Sequence, residues 1–308
     1  MSYTIADSTR LQQLINEVYR LPQNPRGEQR IAQLKTGLNA GAQTFKYRQV
    51  EEHGEAKLIA PGATDLPSVG VKVTEYIVQA GVFGNQYEVS TEDMRSASMA
   101  GESLDAMLGM TARKAHDDAH ARIALYGDGT KFKGLLNTTN IPKTTALADG
   151  TGNATTFASK TPTQILDETN GMINAIAIRN NQAVRANTLI MDGNTHSIMT
   201  GKYLPNTSQT LLETVQKAHP YINDIIVINS ITAAERAKYI VGSDIYTGNI
   251  MIAYNKRNQN DGLAYYQPLS FFQHRPQQTG LNTIVPCESK TAGMVIVYPR
   301  EFQVLEGI

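Results

Sequence analysis

The sequence predicts an α+β fold, and three features of the chain indicate it. Two extended segments flank a loop rich in glycine and proline between residues 45 and 82. A long helical pattern follows, since apolar residues recur every three or four positions from Thr91 to Tyr126. Short helical and strand patterns then alternate towards the end of the chain. The predicted order is therefore arm, extended loop, long helix, mixed segment and returning strands.

The composition is that of a folded protein without an extreme charge. Hydrophobic residues make up 41% and charged residues 18% of the 308 residues, and 28 basic residues balance 28 acidic ones. A net charge of zero argues against a protein whose main task is to coat nucleic acid. The single cysteine, Cys287, excludes an intrachain disulfide framework. We expect neither a secretory signal nor a membrane-spanning segment.

Residues 1–44 are predicted to form an N-terminal arm. One short helix is expected from Ser8 to Tyr19, before Pro22 and Pro25 interrupt the pattern. The first fifty residues hold seven basic and three acidic side chains. Their charge is therefore +4, which leaves −4 for the rest of the chain.

Residues 45–82 are predicted to form an extended loop with flanking strands. The segment Gly54–Val71 carries three glycines and two prolines among apolar residues, so it suits neither a helix nor a closed strand pair. It is too apolar for a solvated linker and too long for an ordinary hairpin turn. Another subunit is one surface against which such a segment can pack.

Residues 83–160 contain the long helix, predicted over residues 91–126. Ser90 supplies an N-cap hydroxyl, Glu92 and Asp93 place acidic groups in the first turn, and Gly127 ends the pattern. A helix of this length would span ~54 Å. The predicted buried stripe consists of Ala97, Ala100, Leu104, Leu108, Ala112, Ala115, Ala119, Ile123 and Tyr126. The polar tract of residues 138–159 is predicted to be a loop.

Residues 161–275 are predicted to alternate between helices and strands, and residues 276–308 to return as strands. Thr161 as N-cap and Pro162 at the first position begin one helix. Further helices are predicted at His196–Met199 and Thr210–Ala218. Strands are predicted at Thr188–Met191, Asp224–Asn229, Ile250–Tyr254, Leu263–Pro268, Gly293–Pro299 and Phe302–Leu305.

His116 and His120 have the i, i+4 spacing of metal ligands on one helix face. No third ligand is indicated, and the glutamate of the zinc-protease motif is missing. A polar flank beside the alanine stripe is therefore the preferred interpretation, and a metal-dependent enzyme is the competing one.

Three other segments are interpreted as structural. Gly127–Gly134 has Phe132 where the dinucleotide fingerprint requires glycine, and Gly201-Lys202 lacks the first glycine of a P-loop, so both are predicted to be turns. Cys287 is interpreted as a buried thiol rather than a nucleophile. We predict no enzyme activity, no catalytic, cofactor-binding or metal-binding residue, and no cofactor.

The order of these elements resembles the major capsid proteins of tailed bacteriophages, which have the Hong Kong 97 fold. The similarity extends over about residues 45–308. The segments that carry it are Gly54–Lys57, Asp65–Pro67, the helix after Tyr87–Ser90, Gly134–Asn137 and the closing strand Gly293–Pro299.

The resemblance implies a role for each segment. The implied domains are the N-terminal arm (1–44), the extended loop with its strands (45–82), the peripheral domain with its spine helix (83–160), a mainly axial domain (161–275), and returning strands of the peripheral domain (276–308). The extended loop would lie across a neighbouring subunit. Its expected contact residues are Lys57, Pro61, Asp65, Leu66 and Pro67.

The resemblance also implies partners. Subunits would assemble into the pentamers and hexamers of an icosahedral shell, in the cytoplasm of a bacterial host and without a membrane. Double-stranded DNA would be contacted without sequence preference. Because the capsid-like pattern begins near residue 45, we expect the scaffolding protein to be separate, beside a portal. Some relatives cross-link a loop lysine to an asparagine, and Lys57 and Lys72 are the lysines suited to that role.

The basic arm has two open interpretations under this resemblance. On the inner side of the shell, its arginines would moderate the repulsion between shell and DNA. Alternatively, they would pair with acidic groups of adjacent subunits. The residues concerned are Arg10, Arg20, Arg26 and Arg30.

A second hypothesis keeps the fold and changes the function. An encapsulin-type compartment shares this fold and packages a cargo enzyme. The motif Asp65–Pro67 and the lack of a recognisable cargo-groove signature favour the phage head.

Overall fold

The computed structural model describes residues 28–58, 66–100, 104–240, 244–257 and 262–308. Its α-helices are Glu28–Ile31 (α1), Thr91–Ala100 (α2), Leu104–Tyr126 (α3), Pro162–Arg179 (α4), Gly193–Gly201 (α5), Leu211–Ala218 (α6) and Ala233–Tyr239 (α7). Its β-strands are Gln33–Lys35 (β1), Thr44–His53 (β2), Gly70–Gln79 (β3), Gly81–Ser90 (β4), Lys143–Thr145 (β5), Thr188–Met191 (β6), Asp224–Val227 (β7), Ile250–Tyr254 (β8), Leu263–Tyr266 (β9), Leu269–Gln273 (β10), Gln277–Thr279 (β11), Asn282–Thr291 (β12), Gly293–Ile296 (β13) and Phe302–Glu306 (β14).

A mixed sheet of five strands, in the order β5–β14–β8–β6–β7, organises two hydrophobic cores. Successive strand residues point to opposite faces, so Met251 and Ile252 of β8 enter different cores. The end of α3 and Ile31 cover one face, and α4, α5 and α6 cover the other. Every residue of β8 is buried, as expected for a central strand covered on both faces.

A second sheet lies under α3 and is built around the antiparallel pair of β4 and β12. The register extends from Gly81↔Thr291 to Ser90↔Asn282, and β10 and β11 pair along the other edge of β12. The sequence analysis missed β12 because Pro286 lies in its middle, and proline is normally excluded from paired strands.

Strands β2 and β3 form a separate hairpin, paired from Thr44↔Gln79 to His53↔Gly70. Each strand is about 33 Å long at about 3.3 Å per residue. Phe45 at the base packs on Tyr266 of β9, with ring centroids 6.4 Å apart. The two strands predicted beside the loop are confirmed, although the second ends at Gln79 instead of continuing to Val82.

The helix starts follow the predicted caps. Ser90 Oγ accepts the backbone N–H of Asp93 at 3.0 Å. Thr161 and Gln164 form a reciprocal capping box at the start of α4. The helix predicted over residues 91–126 is described as α2 and α3, and residues 101–103 between them lie outside the described residues.

Three pairings differ from the predictions. Ile31 is buried in a hydrophobic core, and β1 pairs with β9. The C-terminal end of the predicted arm is therefore packed into the folded subunit. β14, expected beside the peripheral strands, joins the five-stranded sheet. The predicted loop of residues 138–159 contains β5, which pairs with β14. The helix expected from Ser8 to Tyr19 lies outside the described residues.

Candidate functional site

The two faces of the β2–β3 hairpin have different surroundings. Directly opposed residues of an antiparallel pair lie on the same side of the sheet. Tyr47 opposes Tyr76, and their rings stack with centroids 5.1 Å apart. On this face, Phe45, Tyr47 and Val78 pack towards Tyr266, and burial raises the pKa of the Tyr47 hydroxyl. This face therefore attaches the hairpin to its own subunit.

The opposite face is exposed and carries apolar residues among charged ones. Lys46 opposes Ile77, Glu52 opposes Val71, and Arg48 pairs with Glu75 at 2.8 Å. Val50 opposes Val73, and Ile77 and Val71 lie on the same side of β3. Their exposed fractions are 54% for Val50, 53% for Val73, 62% for Ile77 and 64% for Val71. We call these four residues the apolar hairpin face. Exposed apolar residues that are rimmed by charged ones mark interaction surfaces.

The described ends of the loop extend this exposed surface. Leu58 is fully exposed, and Leu66 and Val69 expose 63% and 78% of their surface. Large apolar side chains thus lie in water on both sides of the loop as well as along the strands. In an isolated subunit these side chains stay in contact with water, whereas contact with another subunit could bury them and so stabilise the assembly.

The predicted contact residues of the loop fall into two groups. Lys57, Leu66 and Pro67 are exposed, whereas Pro61 and Asp65 lie outside the described residues. Lys72, the second lysine considered for cross-linking, lies 3.6 Å from Glu51 in an exposed ion pair. Their contact role stays a prediction.

Arg30 is the member of the predicted basic arm that falls within the described residues; Arg10, Arg20 and Arg26 lie outside them. Its guanidinium donates to Asp224 at 2.8 Å, and its side chain is 61% exposed. An exposed ion pair of this kind contributes little to stability. Arg30 is thus held within its own subunit while its charge stays accessible to solvent.

His116 and His120 lie in the buried face of α3, so the predicted polar flank is wrong. Ala115, assigned to the buried stripe, is exposed, and the buried positions run through Ala112, His116, His120 and Ile123. The two imidazoles can occupy this buried face, in place of the predicted alanines, because their ring nitrogens have hydrogen-bond partners there.

Those partners also contradict the metal hypothesis. His116 contacts Asn85 at 3.0 Å and Ser289 at 2.7 Å, and His120 contacts Tyr265 at 2.7 Å and Ser289 at 2.8 Å. No ring nitrogen of the pair is left for a metal. Within the described ranges, no group of three His, Cys, Asp or Glu residues could hold a metal ion. Burial, with a smaller effect of His116, lowers the pKa of His120 to about 4.

The other segments considered for chemistry are structural, as predicted. Asp128 closes its turn by accepting the backbone N–H groups of residues 130–132 at 2.8–2.9 Å. The ammonium of Lys202 donates to three backbone carbonyls of residues 157–160, so it is not presented to a phosphate. Cys287 is buried, and burial raises the pKa of its thiol. A raised pKa disfavours the nucleophilic thiolate.

Comparison with known proteins agrees with the resemblance. A family model described as major capsid protein matches residues 54–308. No curated protein matches the chain in sequence. None of the helices in the described ranges has the length and hydropathy to cross a membrane.

Solved structures of two capsids and of a virus-like particle share the fold at low sequence identity. The capsid of Myoviridae phage XM1 has a TM-score of 0.78 at 12% identity, over 100% of both chains. The capsid of a native GTA particle has a TM-score of 0.67 at 9% identity, over 99% of both chains. A virus-like particle from Pyrococcus furiosus has a TM-score of 0.51 at 14% identity, over 89% of both chains.

These comparisons decide between the hypotheses raised by the sequence. The family match begins at Gly54, after the first strand of the hairpin, and covers everything that follows it. Its description is that of a structural protein and not of an enzyme. The encapsulin-type alternative is not favoured. The chain therefore belongs to the major capsid protein family: it is a structural protein of the virion, with the Hong Kong 97-type fold of tailed-phage heads.

Proposed function

We propose that this subunit forms the pentamers and hexamers of an icosahedral head that encloses double-stranded DNA. Residues 45–82 would lie across a neighbouring subunit. Residues 83–160, with α2 and α3 as the spine and β12 completing the sheet, would form the peripheral domain, and residues 161–275 mainly the axial one. A separate scaffolding protein and a portal would complete assembly in the host cytoplasm.

The apolar hairpin face carries this proposal. Fully burying a valine or isoleucine stabilises a contact by about 1.5–3 kcal/mol. Between 53% and 64% of the surface of each of the four residues is exposed, so covering one adds roughly half of that free energy. Every subunit repeats the contact, and a closed shell sums it over all copies. The pairing of β2 with β3 also fixes the positions of these residues relative to one another.

Replacing the central pair of this face with charges should block assembly. The variant Val50→Lys/Val73→Glu keeps a favourable cross-strand pair, because the two residues are directly opposed. The hairpin should therefore form while its apolar surface is lost. We expect at least ~10-fold fewer shells, the effect of losing about 1.4 kcal/mol of contact free energy. Sedimentation and electron microscopy measure this.

The neighbouring pair supplies a matched control. Gln49 and Thr74 are directly opposed on the other face, so Gln49→Lys/Thr74→Glu introduces the same charges one position away. This control should assemble as the unmodified protein does. Equal assembly of both charged variants, or equal failure of both, would contradict a role of the apolar hairpin face.

The basic arm is proposed to contact DNA through charge alone. The variant Arg10→Gln/Arg20→Gln/Arg26→Gln should still form shells but package less DNA, and its subunits should lose their weak, salt-sensitive DNA binding. Arg30→Gln is the control, because Arg30 already pairs with Asp224. Loss of assembly in the triple variant would instead support pairing between subunits. Unchanged assembly and packaging would contradict both roles.

A further inference from the structure

A continuous series of buried polar side chains joins α3 to the strands beneath it. We call it the histidine chain, and its members are Asn85, His116, His120, Tyr265, Ser289 and Thr291. Five of the six are buried, and Asn85 is half-buried. They come from α3, β4, β9 and β12. The series therefore connects the helix with the sheet of β4 and β12 and with a three-stranded sheet, in the order β1–β9–β13.

The protons of the histidine chain can be assigned from its Asn85 end. Asn85 Nδ2 donates to the carbonyl of Ala112 at 3.2 Å, so its Oδ1 is the atom that faces His116 Nε2 at 3.0 Å. An amide oxygen only accepts, and His116 must therefore carry its proton on Nε2. In a neutral ring Nδ1 then accepts, and the Ser289 hydroxyl donates to it at 2.7 Å.

The same reasoning continues to the other end. The single hydroxyl proton of Ser289 is already donated to His116 Nδ1. His120 Nε2 must therefore donate to Ser289 Oγ at 2.8 Å. His120 Nδ1 accepts from the Tyr265 hydroxyl at 2.7 Å, and Thr291 donates to Tyr265 at 2.6 Å. The backbone N–H of Gly293 donates to Thr291 at 3.0 Å. With two neutral imidazoles, every donor has one acceptor.

Added protons disturb this order. A proton on His116 makes Nδ1 a donor, so Ser289, His120 and Tyr265 must all reverse, and Thr291 must turn its hydroxyl to the Tyr266 carbonyl at 3.2 Å. A second proton, on His120, leaves the Ser289 hydroxyl hydrogen without an acceptor. It also directs two positive rings at the same oxygen.

The groups around the rings offer little compensation for such charge. The His120 ring contacts Phe83 of β4 and Tyr265 of β9, and the His116 ring contacts Phe271 of β10. Their ring nitrogens contact Asn85 of β4, Ser289 of β12 and Tyr265. None of these is a carboxylate, and Asp105 of α3 accepts from the Tyr87 hydroxyl at 3.0 Å. Glu288 pairs with His274, and Lys290 donates to the Ala40 carbonyl, away from the rings. On α3 itself, exposed Asp117 raises the pKa of His116, but burial outweighs it and lowers that pKa.

We propose that the histidine chain is an acid-sensitive joint, whose protonation releases the part of α3 that lies on β4 and β12. Residues 123–126, at the end of the helix, stay in the core of the five-stranded sheet, which remains folded. The pH range follows from the direction of the shifts. Burial lowers the pKa of His120 from 6.5 to about 4 in the docked state. The released state therefore binds protons first, so docking is strongest above about pH 6.5 and weakens as the pH falls towards 4. The docking equilibrium should shift by roughly 150-fold by pH 4.

The native thiol of Cys287 can be used to measure the release of α3. It is buried beside Ala112 of α3, and it is the single cysteine of the chain. The test measures its reaction with 4,4′-dithiodipyridine in the full-length protein, with each rate divided by that of free cysteine at the same pH. We expect the normalised rate to rise on the order of 50-fold between pH 7 and pH 4.5.

Two variants separate the joint from other causes. In His116→Asn/His120→Gln, which cannot titrate, the acid acceleration should disappear. In Cys287→Ala/Ala253→Cys, the new thiol lies in the buried centre of the five-stranded sheet and should stay protected at pH 4.5. The proposal is overturned by an unchanged normalised rate at Cys287, by equal acceleration in the histidine variant, or by equal acceleration at position 253, which would mean global unfolding. If the histidine variant folds poorly, the test rests on the comparison of the normalised rates at Cys287 and at position 253.

Discussion

Replacing residues 54–69 with an Asn-Gly turn is expected to leave a folded subunit that forms no shells. The strands on both sides already pair up to His53↔Gly70, and a two-residue Asn-Gly turn fits the twist of such a hairpin. No described residue of this segment is buried, so the free energy of unfolding should change by less than about 0.5 kcal/mol. Urea unfolding and sedimentation velocity test the two parts separately.

A second replacement shows whether length or apolar surface matters. Substituting residues 54–69 with a glycine–serine segment of equal length keeps the reach of the loop and removes the apolar side chains. We expect it also to prevent assembly, because the proposed contact with the neighbour would bury Leu58, Leu66 and Val69, which are exposed in the subunit. Normal shells from the short-turn variant would show that the extended loop is not an assembly element.

Replacing Arg236 with methionine is expected to destabilise the subunit by about 3–5 kcal/mol. The Arg236 side chain is fully buried, and it pairs with Asp244 at 2.8 Å. It also donates to the backbone carbonyls of Ile231 at 2.5 Å and Gly248 at 2.6 Å. Methionine fills similar space but leaves these acceptors unpaired. The effect should lie near the lower bound, because Asp244 is 26% exposed and keeps some hydration.

The same helix supplies the control for this prediction. Lys238→Met removes an exposed ion pair with Glu235, two residues further along α7, and should leave the unfolding midpoint unchanged. Urea unfolding of unassembled subunits measures both variants. Equal stability of the two would show that the buried ion pair of Arg236 contributes nothing beyond its packing.

Local signals were sufficient for the starts of helices and for central strands. Ser90 and Thr161 cap α2 and α4 as predicted, since a cap depends on residues three positions apart. β8 was predicted because a short run of apolar residues is typical of a strand buried on both faces. The contact of the apolar loop with another subunit stays a prediction.

Long-range pairing decided what local signals missed. β12 contains Pro286, yet it forms the longest pairing of the sheet beneath α3 because β4 and β10 lie on its two sides. β14 follows directly after strands of other sheets, and it joins β8 and β5 through pairing with distant segments. The apolar pattern within β12 or β14 does not indicate which strands each of them pairs with.

The sequence by itself determined the α+β fold class, the capsid family, and which segments form the long helix, the hairpin and the central strands. Only the tertiary structure decided that α3 buries His116 and His120 and that one hairpin face stays uncovered. The physical reason is that a buried imidazole is tolerated when its nitrogens are hydrogen-bonded. The partners of these histidines lie 31 to 173 residues away along the chain, beyond the reach of any local pattern.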